Sequence, residues 1–158
     1  MGSGKTSIGS IVSKKLNVDF IDVDQEIEKK LGMKISKIFE IKGEEYFREI
    51  EETTTLKILK KDKSIISLGG GAFLNNKIKK EVLENHISFW LNWDIKTLVN
   101  RIKDSHKRPL AFNSSKNEII EIIKKRSIVY SKARYKINCE NLTKNEISKN
   151  ILKIYEAH

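Results

Sequence analysis

Several features are scarce or absent in this sequence, and each absence excludes a class of protein. The single cysteine, Cys139, cannot form an internal disulfide, which is typical of a reducing cytoplasm. The single proline argues against a disordered or fibrous chain. No apolar run approaches the roughly 20 residues of a membrane span, and Met1 leads into glycines and a lysine instead of the apolar core of a signal peptide. We therefore expect a cytoplasmic protein without a membrane partner.

The length and net charge of the chain limit the number of domains and the kinds of partner. The chain has 158 residues, enough for a single domain, 1–158, that buries about two-thirds of the surface of the unfolded chain. The formal net charge of +10 leaves a nucleic-acid surface open as an alternative. The lysines are spread out, however, with no single block and no interleaved aromatic residues. We expect a solvated, lysine-rich surface, no nucleic-acid partner, and a basic cleft that favours anionic substrates.

Helical patterns alternate with short apolar stretches along the whole chain. Apolar residues recur at helical spacing from Lys5 to Leu16, whereas Ser64 to Leu68 is a near-continuous apolar run, as in a strand buried on both faces. Strands separated by helices predict an α/β protein with three layers, α/β/α, around a central parallel sheet. The predicted strands are 18–22, 64–68, 87–91 and 135–139. The predicted helices lie near 5–16, 25–31, 44–61, 95–102, 118–131 and 144–152, with a further helix that carries Ile78, Val82 and Leu83 and is capped by Asn75 or Asn76.

The run GSGKTS at 2–7 has the composition of a phosphate-binding loop. It ends like the pattern G-x-x-x-x-G-K-[ST], although the first glycine of that pattern would fall two residues before Met1. Glycines let backbone N–H groups curl around phosphate oxygens, and the start of a helix adds partial positive charge. The alternatives are a glycine-rich start to an ordinary helix and a leftover expression tag. The predicted nucleotide-binding residues here are Gly2, Ser3, Gly4, Lys5, Thr6 and Ser7.

Two carboxylates, Asp22 and Asp24, close the predicted strand 18–22. Ligands of parallel α/β sheets gather at the carboxyl ends of the strands, so this pair could hold Mg²⁺ through water and meet a substrate hydroxyl. The alternative is that one of the two only caps the following helix. The pair by itself does not decide between these interpretations.

Two further motifs also have both a functional and a structural interpretation. Arg48, in GEEYFREIE, has glutamates three and four residues away on both sides. It is either part of a solvated ion-pair face or a guanidinium that clamps a substrate carboxylate through two parallel hydrogen bonds. Gly69, Gly70 and Gly71 follow the buried strand, and three successive glycines favour the close approach of a ligand over a tight turn.

Three arginines complete the candidates, and each also has an interpretation as a surface charge. Arg101 precedes the polar stretch KDSHKRPLAFNSSKN and Arg108 lies within it. That stretch predicts a mobile loop at about 104–117. Arg126 lies towards the end of a predicted helix, where a cation is favourable.

Together these motifs resemble shikimate kinase in residue type, order and spacing. The resemblance implies a P-loop kinase fold and transfer of the γ-phosphoryl group of ATP to the 3-hydroxyl of shikimate, with Mg²⁺. We expect a monomer whose partners are the small molecules ATP and shikimate. The matching runs cover essentially the whole chain: GSGKT, Asp22-Val-Asp24, GEEYFREIE, LGGG, Arg101 to Arg108-Pro109-Leu110, and RSIVY from Arg126.

The resemblance also implies a role for each candidate residue at the nucleotide. Lys5 and Thr6 take the phosphate and metal roles, and Asp22 acts on the metal through water. Arg101 packs against adenine. Arg108 belongs to a lid at about 104–117. It moves in with this lid to neutralise the charge that develops on the transferred phosphoryl group.

At the acceptor, the resemblance implies a substrate-binding helical region at about 24–61. Asp24 binds the ring hydroxyls and orients or deprotonates the attacking one. Arg48 and Arg126 grip the carboxylate of shikimate, while Gly70 and Gly71 offer backbone N–H groups. Lys5, Asp24 and Arg108 are then the catalytic residues.

One departure from the family concerns the sheet. In this fold a first strand precedes the phosphate loop and lies in the middle of the sheet, and it is missing from the chain as numbered. We hypothesise that the true start lies upstream of Met1. A truncated, inactive nucleotide-binding paralogue is the second interpretation of this departure.

Two rival functions account for part of the sequence. A gluconate kinase or a nucleoside monophosphate kinase would contain the glycine loop and a lid, but it does not explain the joint presence of Asp24, Arg48, the triple glycine and Arg126. A non-catalytic module that binds nucleotide or nucleic acid belongs to a different class. Intact Lys5, Asp24 and Arg108 argue against it.

Overall fold

The computed structural model of the protein describes residues 2–103 and 115–158. Within these residues helices and strands alternate, as the sequence predicts. The helices are α1 (Lys5–Leu16), α2 (Val23–Leu31), α3 (Ile35–Leu59), α4 (Asn76–Asn85), α5 (Ile95–Lys103), α6 (Lys116–Tyr130) and α7 (Lys144–Glu156), with a short 3-10 helix at Ala72–Leu74. The strands are β1 (Asp19–Asp22), β2 (Ser64–Ser67), β3 (Phe89–Asn92) and β4 (Tyr135–Asn138).

The described strands form two parallel pairs. β1 pairs with β2 so that Asp19 lies opposite Ser64. β3 pairs with β4 so that Phe89 lies opposite Tyr135. Both pairings are parallel, which confirms the prediction of parallel strands. Each crossover between paired strands contains helices, as parallel connections usually do.

Both pairs end at the start of α1. The Thr6 hydroxyl donates to Oδ2 of Asp22, the last residue of β1, over 2.6 Å. Trp93, directly after β3, donates through Nε1 to the carbonyl oxygen of Ser3 over 3.0 Å. The carboxyl ends of both pairs therefore meet at the glycine loop, at the edge where open α/β sheets bind their ligands.

A cavity of about 420 Å³ separates the two pairs of strands. Its walls include β2, β3 and apolar residues of α1 such as Ile8 and Val12. Among the described residues β2 pairs only with β1, and β3 pairs only with β4. The two strand edges that face the cavity therefore present main-chain groups without a strand partner in this part of the chain. The gap lies mid-sheet, where the family resemblance predicts a strand.

Helices cover both faces of the sheet, which confirms the three-layer prediction. Successive residues of β2 point to opposite faces. Ile65 packs on the core that contains α1, β3, β4 and α7, whereas Ile66 packs on the cores of α2, α3 and α4. Burial on both faces explains why this strand is a continuous apolar run in the sequence.

The main difference from the predicted helices is the start of α3. α3 consists of two helical segments that meet at Gly43, whose backbone, with φ 80° and ψ 173°, is not helical. The segment after Gly43 fits the helix predicted from about residue 44, whereas the segment from Ile35 to the kink was not predicted. Ile38, on this first segment, is fully buried in the same core as Ile27 of α2.

No helix within residues 2–103 and 115–158 has both the length and the apolar character that a membrane span requires.

We predict that an extended apolar segment fused ahead of Gly2 fills the cavity between the strand pairs and raises the Tm. Five β-branched residues would hydrogen-bond to β2 and β3 and bury apolar surface worth roughly 25 cal/mol per Å². Thermal unfolding of the fusion and of the chain 1–158 measures the effect. A fusion of the same composition with a central proline is the control, because proline cannot join a central strand. Equal Tm values for the two fusions would contradict the prediction.

Candidate active site

The loop before α1 has the backbone of an anion-binding turn. Gly2 and Gly4 have positive φ angles of 68° and 81°, which glycine adopts without strain. Gly4 is the N-cap of α1, and no side chain caps this helix. The first N–H groups of α1 therefore face the region beyond the helix start, where the helix dipole favours negative charge. The structure thus brings the predicted residues Gly2, Ser3, Gly4, Lys5, Thr6 and Ser7 to one site.

Asp22 serves as both a helix cap and a partner of the loop. Its Oδ1 accepts hydrogen bonds from the backbone N–H groups of Asp24 and Gln25, at 3.1 and 3.4 Å, which makes it the N-cap of α2. Its Oδ2 accepts the Thr6 hydroxyl. The two interpretations left open for this residue are therefore compatible. A hydroxyl and a carboxylate side by side are oxygen ligands of the kind that Mg²⁺ prefers.

Asp24 is a half-buried residue whose carboxylate has one buried oxygen, Oδ1, available as an acceptor. It lies in the first turn of α2, and its Oδ1 has no hydrogen-bond partner among the described residues. Burial, followed by repulsion from Asp22, raises the pKa of Asp24 above its ordinary value, although Lys5 and Arg48 act in the opposite direction. A carboxylate with a free acceptor and a raised pKa can orient a hydroxyl and accept its proton.

Arg48 bridges two glutamates of its own helix. Its Nη1 donates to Glu51 over 2.6 Å, while Nε and Nη2 both donate to one oxygen of Glu44, over 3.1 and 3.0 Å. The side chain of Glu51 is only 3% exposed, whereas that of Glu44 is 50% exposed. The interpretation of Arg48 as part of a solvated ion-pair face therefore holds for Glu44 and is wrong for Glu51.

Glu51 is a site residue that the sequence did not single out. Burial raises its pKa, although Arg48 and Arg126 pull in the opposite direction. The available signal was helical spacing: Glu51 lies four residues after Phe47 and four before Thr55, and both neighbours are buried on the core face of α3. An acidic residue at a core position of a helix indicates a buried ionic partner.

Charged side chains closely approach two residues of the triple glycine, Gly69 and Gly71. A Cβ on Gly69 would lie 2.6 Å from carboxylate oxygens of both Asp24 and Glu51, and a Cβ on Gly71 would overlap the Arg48 guanidinium. The same segment also turns, because the N–H of Ala72 donates to the carbonyl of Gly69 over 3.2 Å. The turn and the close approach of polar groups thus occur together.

Arg126 faces the interior from α6. It is only 9% exposed, so its interpretation as a surface charge is wrong. With Arg48, Glu51 and Gly71 it lines a cavity of about 310 Å³. The same wall carries the carboxylates of Glu44, Glu51 and Glu52, so an anionic ligand would bind here by taking the place of a glutamate at a guanidinium.

The two remaining arginines differ in what the structure describes. Arg101 lies beside the phosphate loop: its guanidinium carbon is 3.9 Å from the ring centroid of Trp93, and its Nη1 donates to the carbonyl of Gly2 over 3.3 Å. Arg108 lies outside the described residues. So does the predicted lid, about 104–117, apart from its last three residues at the start of α6.

Comparison with known proteins identifies the family. The family model described as shikimate kinase matches residues 1–156. The chain belongs to the shikimate kinase family. Curated relatives include the shikimate kinases of Thermodesulfovibrio yellowstonii and Bacillus subtilis, each 40% identical, which align with 99% and 94% of this chain and with 91% and 81% of their own lengths.

Solved structures of the family agree with the fold. A shikimate kinase from Acinetobacter baumannii in complex with shikimate has a TM-score of 0.89 at 26% identity, over 99% of this chain and 89% of its own. The shikimate kinase from Aquifex aeolicus has a TM-score of 0.88 at 35% identity, over 99% and 92%. The predictions of an α/β P-loop kinase fold and of an ATP-dependent shikimate kinase are confirmed. A gluconate kinase is not favoured.

We predict that Asp24→Asn stabilises the protein at neutral pH by about 0.5–2 kcal/mol. Because burial raises the folded-state pKa of Asp24, the native protein loses stability as the pH rises through that pKa, and the amide avoids this loss. The gain should be present at pH 7 and should vanish below about pH 4, where the carboxyl is neutral in the unfolded chain as well.

Thermal unfolding of both proteins between pH 3 and 8 tests this prediction. Asp19→Asn is the matched control, because Asp19 is exposed at the start of β1, and it should change the Tm little at any pH. A lower Tm of Asp24→Asn at pH 7 would contradict the prediction.

Proposed function

We propose that this chain transfers the γ-phosphoryl group of ATP to the 3-hydroxyl of shikimate, giving ADP and shikimate 3-phosphate. One observation carries the proposal: the carboxylates of Asp24 and Glu51 converge on Gly69, while Thr6 of the phosphate loop is bonded to Asp22, two residues before Asp24, and Arg48 of the cavity is bonded to Glu51. Asp24 thus lies between an anion-binding loop and an anion-binding cavity. A hydroxy acid in that cavity would place a hydroxyl near the phosphate to be transferred.

The nucleotide end of the reaction rests on the loop and on Arg101. The N–H groups at the start of α1 and the Lys5 ammonium bind the β- and γ-phosphates. Arg101, stacked on Trp93 next to Gly2, packs against the adenine. Arg108 enters with the lid at about 104–117 and neutralises charge on the transferred group, and closure keeps water from the reaction.

Thr6 and Asp22 fit Mg²⁺. They supply a hydroxyl and a carboxylate oxygen 2.6 Å apart, and Mg²⁺ usually takes one or two protein oxygens together with waters and substrate phosphates. Within the described part of the chain there is no cluster of three or more His, Cys, Asp or Glu that could hold a metal ion. This agrees with a site in which the protein supplies only one or two of the Mg²⁺ ligands. When bound, Mg²⁺ would neutralise phosphate charge, with Asp22 acting through water.

The acceptor end uses positive charge and backbone donors. Arg48 and Arg126 hold the carboxylate of shikimate, and the N–H groups of Gly70 and Gly71 add hydrogen bonds. Asp24 accepts a hydrogen bond from the attacking hydroxyl and takes its proton as the oxygen–phosphorus bond forms and the bond to ADP breaks. Phosphoryl transfer needs little covalent assistance, so this positioning and charge compensation supply most of the catalysis.

We also propose that the protein is a cytoplasmic monomer. The monomer rests on the family resemblance alone; for the cytoplasm the supporting observation is Cys139, a fully buried free thiol whose pKa burial raises to about 11. Such a thiol is poorly reactive and forms no disulfide among the described residues.

We expect residues 1–158 to release ADP only when shikimate is added. A coupled ADP assay with shikimate, with gluconate and without an acceptor makes the comparison. Lys5→Ala and Asp24→Asn should each lower kcat, the latter by about 10²- to 10⁴-fold, the usual contribution of an acid–base group. Equal ADP release with gluconate, or full activity of Asp24→Asn, would contradict the proposal.

We predict that Arg126→Gln raises the KM for shikimate by about 10- to 100-fold, the loss expected for a charge-assisted hydrogen bond. For methyl shikimate, in which the carboxylate is esterified, the substitution should raise the KM far less, because the charge that Arg126 binds is already absent. The ratio of the two KM values therefore separates lost recognition from general damage to the fold. Arg134→Gln is the control, because it removes the same positive charge at an exposed position. An equal loss with both substrates would contradict the role of Arg126.

A further inference from the structure

Tyr130 joins the end of α6 to the triple glycine. Its hydroxyl donates a hydrogen bond to the carbonyl of Gly70. Its ring packs on the core that contains Leu59, Phe73 and Val82, and its centroid is 6.5 Å from that of Phe73. The core therefore fixes the ring, and the ring places the hydroxyl.

The hydrogen bond controls the direction of a backbone donor. The carbonyl of Gly70 and the N–H of Gly71 belong to one peptide unit, and the described residues contain no cis peptide bond. In a planar trans unit these two groups point in opposite directions. The bond to Tyr130 thus turns the N–H of Gly71 away from Tyr130. With glycine on both sides, little else in the local backbone would fix this unit.

Gly71 belongs to the wall of the cavity that Arg48 and Arg126 line. Gly71 lines that cavity together with Arg48, Glu51 and Arg126, and it lies so close to Arg48 that a Cβ would overlap the guanidinium. Arg126 lies one helical turn before Tyr130 on α6. The same helix face therefore supplies a cation to the cavity and the hydroxyl that orients a donor in its wall.

We propose that Tyr130 is a positioning residue for the acceptor: its hydroxyl holds the Gly70–Gly71 peptide so that the Gly71 N–H is directed at an oxygen of shikimate. This inference rests on the proposed function, because it takes shikimate as the ligand of the cavity. Tyr130 itself need not touch the substrate.

The hydroxyl keeps its proton under the conditions of the reaction. Burial raises the pKa of Tyr130 above its ordinary value, and the nearby Arg126 guanidinium, through its charge and a hydrogen-bonding contact with the hydroxyl, offsets this only in part. Tyr130 therefore remains a hydrogen-bond donor throughout the neutral pH range.

The test is Tyr130→Phe, which keeps the ring and removes only the hydroxyl. We expect the KM for shikimate to rise about two- to tenfold, the usual range for one hydrogen bond, with the KM for ATP unchanged. A purely structural role would lower the active fraction, and hence the apparent kcat, without moving either KM. Tyr135→Phe is the control, because its hydroxyl contacts His158 over 3.3 Å, at the opposite end of β4 from the site. An unchanged KM for shikimate in Tyr130→Phe overturns the proposal, and so does a rise that methyl shikimate does not share, because that rise would come from Arg126.

A measurement on the backbone separates this proposal from the proposed function. In the wild type, NMR titration with shikimate should shift the Gly71 amide, and Tyr130→Phe should need about two- to tenfold more shikimate for the same shift. Without ligand, the Gly70 carbonyl carbon should shift on loss of the hydroxyl. A wild type that binds shikimate but releases no ADP would contradict the proposed reaction and leave the positioning role supported. A Gly71 amide that does not respond to shikimate overturns the positioning role.

Discussion

Two hydrogen bonds at the start of α1 organise the site. One joins Thr6 to Asp22 at the end of β1, and the other joins Trp93, after β3, to the carbonyl of Ser3. They tie the glycine loop to the carboxyl ends of both strand pairs, although the described strands of the two pairs share no hydrogen-bond ladder. The relative placement of the nucleotide and acceptor regions therefore depends on a few side-chain contacts around this loop and on the helices that pack over the cavity.

The proposed acceptor region brings two carboxyl groups, those of Asp24 and Glu51, into surroundings where burial disfavours their charged forms. Asp24 and Glu51 both approach Gly69, and burial raises the pKa of each carboxyl. Arg48 and Arg126 partly compensate Glu51, whereas Oδ1 of Asp24 has no hydrogen-bond partner in the part of the chain that the structure describes. Such an arrangement costs folding free energy and is retained where a ligand completes it. The proposed hydroxyl of shikimate would supply that missing partner.

The sequence predicted most of the fold, because periodicity and glycine placement report local structure directly. It did not predict that α3 continues before Gly43, since burial of Ile38 is a tertiary effect. It left Asp22 undecided between cap and ligand because both roles need a carboxylate at the end of a strand. Glu51 was missed because its spacing from Arg48 is equally common on exposed helices. Several glutamates lie three or four residues from Arg48. Contacts between α3 and its neighbours decide which of them is buried, and sequence spacing does not encode these contacts.

The two partners of Arg48 reconcile its structural and functional interpretations. Glu51, nearly inaccessible to water, holds Nη1 and cannot leave without becoming an unpaired buried charge. Glu44, half exposed, occupies Nε and Nη2, the planar edge on which guanidinium binds carboxylates. Its release into water costs little, because exposed helical ion pairs contribute only about 0.3–0.5 kcal/mol. In the proposed function, binding of shikimate at Arg48 would therefore be an exchange of one carboxylate for another, on a guanidinium that Glu51 keeps in place throughout.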